Sequence, residues 1–454
     1  MLINKVMPFI EHTEYEDIPA DAIDMAKRCL LDFIGAAYAG YQSQAATIAE
    51  QSKAWLGGEG NCTVIGSDTK ASPLSAAFIN GTLSSSLDID DGHREAVGHP
   101  AVMVIPPVLA SGEMVEGSTG KELLTAIIVG YEVGIRCGIV MNSNHEQLFY
   151  GSGGWAIFGS AAGAAKMLEL TGEKLQNALT IGEVYGPTAQ CGKSIKAGAM
   201  TKESVGWGAV TGLFGTLLAK SGFTGPNNLL MDDQLYEPHA KGIFQSLGEE
   251  FEIENIYFKQ FPSCKWSHSP ITAAIEIKRN HHISADDIDE VLIETFSKAI
   301  TLNHTSPQSS EAAQYSIPFT VATALCYGEV APHHISIQSL TDERVLKVAN
   351  KVRLSQTNDL EKIFPEKRPA RVKVKMKNGE SFEKEVHIIK GDPENPLTWE
   401  DIINKFHSCT KDYLEYGERI KIIEKVRDLE NSTNIREFSK LLSLPVTSRA
   451  LSKG

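Results

Sequence analysis

The sequence predicts a mainly α protein, in which a large all-helical domain carries an inserted, smaller α+β domain with an antiparallel sheet. The chain has 454 residues, and one hydrophobic core rarely grows beyond about 250–300 residues, so two domains are expected. From about Asp21 to Leu218 the apolar residues follow helical spacing, and strand-like segments follow after about Trp266. We therefore expect residues 1–265 and 396–454 to form the all-helical domain, and residues 266–395 to form the α+β domain.

The first half of the chain reads as a series of helices. ADAIDMAKRCLLDFIGAAYAG begins after Pro19, and SPLSAAFINGTLSSSL ends at the start of an acidic stretch. Two more helices begin alike, after Thr119 and after Thr171, and the first of them carries Glu122 where a capping box requires it. The resemblance of these two starts hints at a duplicated helical hairpin. Between them GSAAGAAKMLEL is rich in small residues, which predicts close helix packing.

The α+β domain is predicted from two strand signals. ADDIDEVLIETF, residues 285–296, ends in a strand-like run. RVKVKMKNGESFEKEVHI, residues 371–388, alternates apolar and polar positions on both sides of Asn378-Gly379, which is a strong hairpin signal. We therefore expect an antiparallel sheet with helices packed on it.

The end of this domain is marked by two prolines. Pro393 and Pro396 interrupt the pattern, and a helix restarts near Thr398, so the last sixty or so residues are expected to return to the helical domain. A cleft between two domains is a common place for a small-molecule site. The segment from Phe258 to His268 would lie at the hinge of that cleft.

Composition and charge exclude several classes of protein. The formal net charge of -14 disfavours a nucleic-acid partner, because neutralising phosphates requires a basic face. The N-terminal stretch carries acids where a secretory signal has bases, which predicts a cytoplasmic location. The longest apolar run, LLTAIIVGYEVGI, contains a glutamate and is shorter than a membrane span, so no membrane association is expected.

The cysteines predict neither a disulfide framework nor a metal site. The seven cysteines are scattered and never spaced as CxxC. We expect them to be small buried residues. GSGGWAIFG after Tyr150 superficially looks like a dinucleotide loop, but no strand precedes it and no βαβ unit follows, so nucleotide binding is not expected.

The densest group of titratable residues lies in SLDIDDGHREAVGHPAV, residues 86–102. It contains five ionisable side chains that can do chemistry: Asp88, Asp90, Asp91, His93 and His99. A metal site, an acid–base cluster and a solvated turn are all compatible with these residue types, although the spacing fits no known metal-ligand pattern. We favour acid–base work, in which an aspartate fixes the tautomer of a histidine and the histidine moves a proton.

Two further stretches carry cations and a histidine. FKQFPSCKWSHSP contains Lys265 and His268, and QCGKSIKAGAMTKES places Lys193, Lys196 and Lys202 in a glycine-rich segment that opens a helix. Free amides at a helix start together with lysines can bind an anion. A linker and a solvated loop are the alternative interpretations of these two stretches.

Taken together, these stretches resemble the MmgE/PrpD family of 2-methylcitrate dehydratases, cis-aconitate decarboxylases and iminodisuccinate epimerases. The resemblance runs over most of the chain, through the blocks CLLDFIGAAYAG, NGTLSSSLDIDDGH with the following His99-Pro100, GSAAGAAKMLEL, KSGFTGP, FKQFPSCKWSH and AAQYSIPF. It implies a large all-helical domain, a smaller α+β lid, a cleft between them, a homodimer, and catalysis without a metal or an organic cofactor.

Position by position, the resemblance implies an active site made of Asp88, His99, Lys202 and His268. This chain has Tyr150 where the decarboxylases have a histidine. It has Phe319 where the family has the tyrosine of an S-x-P-Y block, and Lys202 is followed by Glu-Ser-Val.

The expected substrate is a small anionic polycarboxylate, and the expected step is proton transfer next to one carboxylate. Because this step builds up negative charge, the site needs fixed cations, and we expect Lys202, helped by Lys265 or Lys196, to bind substrate carboxylate. His99, oriented by Asp88, is the expected base, and His268 or Tyr150 the expected acid. Two more residues are expected to bind substrate, Asp91 and His93.

Three functions fit these expectations. The first is a cofactor-independent lyase that acts on a di- or tricarboxylate, either as a dehydratase or as a decarboxylase. The second is an isomerase that epimerises a succinate derivative. The third is a polycarboxylate-binding protein that has lost catalysis through the changes at Tyr150 and Phe319.

Overall fold

A computed structural model describes residues 2–142, 151–187, 189–229, 232 and 237–443 of the chain. Most of the described residues lie in helices, which confirms the mainly α prediction. The helices before the sheet are α1 (Ile3–His12), α2 (Ala20–Gly40), α3 (Gln44–Gln51), α4 (Pro73–Ser85), α5 (Ala101–Met114), α6 (Gly120–Asn142), α7 (Ser152–Met167), α8 (Gly172–Val184), α9 (Gly192–Ala197), α10 (Val205–Lys220) and α11 (Glu237–Ile243).

The C-terminal half combines helices with a small sheet. Its helices are α12 (His268–His281), α13 (Ser310–Gln314), α14 (Ile317–Tyr327), α15 (Glu343–Ala349), α16 (Asn358–Glu361), α17 (Trp399–Thr410), α18 (Tyr416–Arg427) and α19 (Ile435–Leu442). The strands of the chain are β1 (Gly92–His93), β2 (Ile256–Tyr257), β3 (Ile288–Thr295), β4 (Val352–Gln356), β5 (Ala370–Met376) and β6 (Ser381–Val386).

The larger sheet has the strand order β4-β3-β5-β6. The predicted hairpin around Asn378-Gly379 is confirmed, since β5 pairs with β6 in antiparallel register, and β3 also pairs with β5 in this way. The pairing of β3 with β4 is parallel, which the sequence analysis did not predict. The chain makes this crossover through α13, α14 and α15, because parallel neighbours cannot be joined by a tight turn.

Small residues bring two central helices into close contact, as the sequence predicts. A Cβ atom added to Gly159 of α7 would lie 2.4 Å from the backbone oxygen of Gly130 on α6. One added to Gly163 would lie 3.0 Å from the oxygen of Ala126. The first separation is too short for a side chain and the second is tight, so glycine at these positions allows α6 and α7 to approach closely.

Helix α6 starts with the predicted capping box and is unusually apolar. The backbone N–H of Thr119 donates to Glu122 Oε2 at 2.7 Å, and the N–H of Glu122 donates to Thr119 Oγ1 at 3.3 Å. By length and composition alone, α6 would suffice to cross a membrane, but its most apolar stretch is entirely buried inside the protein. Thr171, at the start of α8, makes no such side-chain cap.

Among the described residues, the buried apolar side chains form two clusters. The first contains residues between 2 and 258 and residues between 397 and 442. The second contains mainly residues between 271 and 389, and residues from α2, from the stretch after α4 and from α17 complete it. The two clusters divide close to the predicted boundaries. Because helical residues help to close the second cluster, the assignment of residues 266–395 as a separate lid domain stays a prediction.

A short strand pair brings the acidic stretch next to the segment that leads into the second cluster. Gly92 of β1 is paired with Tyr257 of β2. The segment before β2 is fixed by a buried glutamate of α6, because Glu132 accepts hydrogen bonds from the N–H groups of Glu252 and Ile253, each at 2.9 Å. Glu132 is also paired with Arg136, and neither side chain is exposed.

We expect Glu132→Ala to lower the free energy of unfolding by about 3 to 5 kcal/mol, because it leaves the buried guanidinium of Arg136 without a counter-charge. Chemical denaturation followed by circular dichroism measures this change. Glu424→Ala, on the exposed face of α18, is the control and should stay within about 0.5 kcal/mol of wild type. A loss of less than about 1 kcal/mol for Glu132→Ala would show that this buried pair does not hold the segment.

Candidate active site

A cavity of about 550 Å³ opens between the acidic stretch, the segment after β2 and the loop before α14. Its wall contains acidic, basic and phenolic side chains, among them Asp88, His99, Lys259, Lys265, Tyr315 and Arg368. The side chains come from both halves of the sequence. The site is therefore assembled by the fold rather than by one contiguous motif.

Asp88 lies at the centre of the charged groups. It follows α4 in the left-handed backbone region with a φ of 54°, which aspartate tolerates better than most residues. Its Oδ1 lies 2.9 Å from Lys259 Nζ, 3.6 Å from His99 Nε2 and 3.7 Å from Lys202 Nζ. Burial alone would raise the pKa of Asp88, but Lys259, followed by Lys202 and His99, holds the pKa well below its ordinary value. Asp88 is therefore a carboxylate at neutral pH.

Lys259 is a site residue that the sequence analysis missed. Its side chain is buried, and Nζ donates to the backbone oxygen of Asp88 at 2.9 Å in addition to its contact with the carboxylate. A lysine among the aromatic residues of YFKQF was the available signal, because a buried lysine requires a partner of opposite charge.

The ammonium group of Lys202 lies behind Asp88 and not on the cavity wall. It donates to the backbone oxygen of Ser85 at 2.6 Å and to Gln314 Oε1 at 2.8 Å. With Asp88 nearby, each of its three protons has an acceptor. This geometry therefore does not support the expected contact of Lys202 with substrate. Instead, Lys202 positions Asp88.

His99 is surrounded by oxygen atoms on both sides of its ring. Nδ1 lies 2.7 Å from the backbone oxygen of Asp91 and 3.1 Å from Asp90 Oδ2, and Nε2 lies 4.0 Å from Glu203 Oε1. Burial and Lys259 lower the pKa of His99, but Asp90 and Glu203 outweigh them and raise it to about 9. His99 is thus an imidazolium at neutral pH, which suits a proton donor better than the predicted base.

Glu203 is a second residue that the sequence analysis did not propose as a site residue. Its Oε2 accepts hydrogen bonds from the N–H and the Oγ of Ser152, at 2.9 and 2.7 Å, where α7 begins. The same hydroxyl accepts the backbone N–H of His99 at 2.9 Å. The Glu-Ser-Val sequence after Lys202, noted as a departure from the family, therefore supplies a carboxylate to the cavity wall.

Asp91 and His93 were both expected to bind substrate, and the structure separates them. Asp91 accepts the N–H of Ala101 at 3.1 Å and the hydroxyl of Tyr131 at 2.8 Å, so its carboxylate is occupied away from the cavity. Burial, followed by the nearby acids, raises the pKa of Asp91 to about 7. His93 does line the cavity, with Nε2 at 3.4 Å from Glu252 Oε2.

The two lysines that were expected to help Lys202 both reach the cavity. Lys265 Nζ lies 2.7 Å from Asp392 Oδ1 and 4.3 Å from the centre of the Tyr257 ring. Lys196 is exposed at the cavity rim. A ligand would meet these lysines, together with Lys259, as the basic part of the wall.

The expected proton donor His268 does not line the cavity. It is fully buried at the start of α12, its Nε2 lies 3.2 Å from the backbone oxygen of Ser263, and its ring packs on Phe261. Burial and the nearby lysines lower its pKa well below the ordinary value, so it is neutral. A direct catalytic contact of His268 is therefore not supported. The other expected donor, Tyr150, lies outside the described residues.

Tyr315 supplies a phenol to the cavity, although Phe319 replaces the tyrosine of the family block. Phe319 is fully buried within α14, whereas Tyr315, four residues earlier, lines the cavity. The tyrosine in AAQYSIPF was visible in the sequence, but its side-chain direction depends on the turn before α14.

Two groups among the described residues have the donor atoms for a metal ion. Glu329, His333 and His334 form one, in which only His334 is buried, and Asp88, Asp90 and His99 form the other, with ligand atoms within 4.8 Å of one another. In the second group the ammonium of Lys259 lies against Asp88 and repels a cation. The arrangement therefore favours the acid–base interpretation of this cluster.

Comparisons with known proteins agree over nearly the whole chain. The profile of the MmgE/PrpD N-terminal domain matches residues 5–243, and that of the MmgE/PrpD C-terminal domain matches residues 261–429. A cis-aconitate decarboxylase-like protein of Aspergillus oryzae is 27% identical over 94% of this chain and 94% of its own length. Cis-aconitate decarboxylase of Aspergillus terreus is 27% identical over 95% and 94%. That of Mus musculus is 26% identical over 92% and 89%.

We expect the ring of His99 to titrate near pH 9 in the folded protein, because Asp90 and Glu203 stabilise its charged form. Nitrogen-15 NMR of the labelled histidine rings measures the midpoint, and His99→Asn identifies the signal. Asp90→Asn removes one stabilising charge and should lower the midpoint by about one unit or more. A wild-type midpoint at or below the ordinary value of about 6.5 would contradict the charged state.

Proposed function

The chain belongs to the MmgE/PrpD family, and we propose that it is a cofactor-independent lyase that decarboxylates cis-aconitate or a closely related unsaturated tricarboxylate. The observation that carries this proposal is the position of His99, between Asp90 and Glu203, on the wall of a cavity that also contains several cations. These carboxylates raise the pKa of His99 to about 9, which makes it a proton donor. Decarboxylation forms the carbanion by loss of CO₂, so it needs a proton donor but no base that first removes a proton from carbon. The characterised activity in the names of the relatives supports the same choice.

The reaction is balanced with one proton from the enzyme. The bond between a carbon and its carboxylate breaks, CO₂ leaves, and the electron pair moves through the adjacent double bond to a carbon next to another carboxylate. His99 Nε2 gives a proton to that carbon, and the ring regains a proton from water. The products are CO₂ and an unsaturated dicarboxylate.

The cations of the wall lower the barrier by stabilising the charge that develops on the substrate. As CO₂ leaves, negative charge spreads onto a carboxylate that already carries one, and a fixed cation near it stabilises the transition state. Lys259 and Lys265 are in position to do this, since both line the cavity. Asp88 keeps Lys259 fixed at 2.9 Å, so the ammonium group needs little reorganisation.

A second candidate is an epimerase or dehydratase, and one observation favours it. Glu203 places a carboxylate on the cavity wall, 4.0 Å from His99. A carboxylate next to an imidazolium provides a base and an acid, which removal of a proton from one face and delivery to another position would require. The test below separates this candidate from the decarboxylase.

We expect the purified enzyme to convert cis-aconitate, in deuterated buffer, to CO₂ and a dicarboxylate that carries one deuterium, as followed by proton NMR. His99→Gln removes the proton donor and should lower turnover at least about a hundredfold. His12→Gln is the matched control, because His12 is exposed on the surface outside the cavity, and it should leave turnover unchanged.

Citrate, methylcitrate and amino- or iminosuccinates complete the substrate panel. Loss of water from citrate or methylcitrate would support the dehydratase instead. Hydrogen exchange without net conversion of a succinate derivative would support the epimerase. Binding of polycarboxylates without any turnover would support a lapsed, binding-only protein.

We also propose that the protein is a homodimer, as the family resemblance implies, and that α8 and α10 contribute to the interface. Apolar side chains are exposed there: Val184 is 60% exposed and Trp207 is 51% exposed. Tyr185 stacks on Phe214 with ring centres 6.3 Å apart, and both are also exposed. Exposed apolar side chains on neighbouring helices are typical of a surface that a partner covers.

We expect Trp207→Glu to weaken or abolish the dimer, because it places a charge in the apolar patch. Light scattering after size-exclusion chromatography measures the mass in solution. Trp55→Glu is the matched control, since Trp55 is 68% exposed and belongs to the segment after α3. A Trp207→Glu protein with the same mass as wild type would place the interface elsewhere.

A further inference from the structure

Arg368 lies on the cavity wall in the segment between α16 and β5. Within the described part of the chain, its guanidinium donates only to backbone oxygens. One terminal nitrogen donates to the backbone oxygen of Pro365 at 3.0 Å, and the other donates to that of Arg94 at 3.4 Å. Its Nε is buried without a hydrogen-bond partner. Each terminal nitrogen carries a second N–H that these two bonds do not use, so the guanidinium has donors left for a ligand.

Other cations near the cavity are neutralised within the protein. Lys259 is paired with Asp88 at 2.9 Å, Lys265 with Asp392 at 2.7 Å, and Arg94 is paired with Glu394 through both terminal nitrogens. Among the residues that the structure describes, no carboxylate lies within ion-pair distance of Arg368. Arg368 therefore differs from Lys259, Lys265 and Arg94 in having no ion-pair partner.

The position of Arg368 is fixed by the fold. Its backbone oxygen accepts the hydroxyl of Ser269, in the first turn of α12, at 2.5 Å. Arg368 is partly buried. A partly buried guanidinium without an ion-pair partner is desolvated without compensation, and a bound anion reduces this cost. The planar guanidinium matches a carboxylate with two parallel hydrogen bonds, which gives it selectivity for that group.

We propose that Arg368 binds a carboxylate of the substrate that does not react, and so makes the enzyme selective for polycarboxylates. This inference rests on the proposed function, which identifies the ligand as a polycarboxylate. Arg368 and the basic group of Lys259 and Lys265 line one cavity, so a single ligand with several carboxylates can contact both. Its task is recognition, whereas His99 carries out the proton transfer.

The test compares Arg368→Gln and Arg368→Lys with wild type by calorimetry, with propane-1,2,3-tricarboxylate as an unreactive probe. Arg368→Gln should raise the dissociation constant about ten- to a hundredfold, since bonds to a charged group are lost. Arg368→Lys should raise the dissociation constant less, because lysine keeps the positive charge but lacks the two parallel N–H donors of the guanidinium. In turnover assays Arg368→Gln should raise KM and leave kcat within a few-fold of wild type.

Arg353→Gln is the matched control. Arg353 also donates only to backbone oxygens, those of Asn350 and Val352, but it is exposed and outside the cavity. Its dissociation constant should stay within twofold of wild type. Thermal unfolding checks that each variant is folded. If Arg368→Gln does not fold, the comparison of Arg368→Lys with wild type is the test.

The outcomes separate this inference from the proposed function. If both Arg368 variants bind the probe as tightly as wild type, the inference is wrong, whatever the enzyme does with cis-aconitate. If wild type does not bind the probe, the inference is equally wrong. If binding depends on Arg368 but cis-aconitate is not decarboxylated, the recognition role is upheld and the proposed activity is wrong.

Discussion

The neutralisation of one buried carboxylate, Asp88, is the interaction on which the rest of the site depends. Its side chain is 4% exposed and that of Lys259 is 1% exposed, so neither charge can be stabilised by water. Removing either partner would leave an uncompensated charge in the interior. The pair joins the turn after α4 to the segment after β2, and Lys202 adds the loop before α10. Three distant parts of the sequence are therefore held at one point by electrostatics.

Helix α6 supplies the scaffold for this arrangement through two consecutive residues. Tyr131 donates to Asp91, whose backbone oxygen lies 2.7 Å from His99 Nδ1. Glu132 binds the N–H groups that precede β2, and so fixes the approach to Lys259. Successive residues of a helix point in directions about 100° apart, so one buried helix can hold both strands of the β1–β2 pair. The long apolar surface of α6 is therefore explained by its position as a buried scaffold helix.

The sequence predicted the elements better than it predicted the side-chain directions within the site. The mainly helical class, the capping box at Thr119 and the hairpin at Asn378-Gly379 follow from local patterns, and the structure confirms them. The sequence predicted that Asp88, His99 and Lys265 belong to one site, but not which atoms each of them contacts. Lys202 lies behind Asp88, and His268 is buried behind the wall, because tertiary packing decides which side of a turn a side chain occupies. No local pattern carries that information.

The charge on His99 determines whether its ring is suited to act first as an acid or as a base. The sequence suggested a base, because a single aspartate beside a histidine usually orients a neutral ring. The structure places Asp88, Asp90 and Glu203 around the ring, and their combined charge outweighs the effects of burial and of Lys259. A ring that already holds its proton cannot start a reaction by removing one from carbon. This protonation state fits the decarboxylation proposed above, in which the loss of CO₂ comes first and a proton is needed only afterwards.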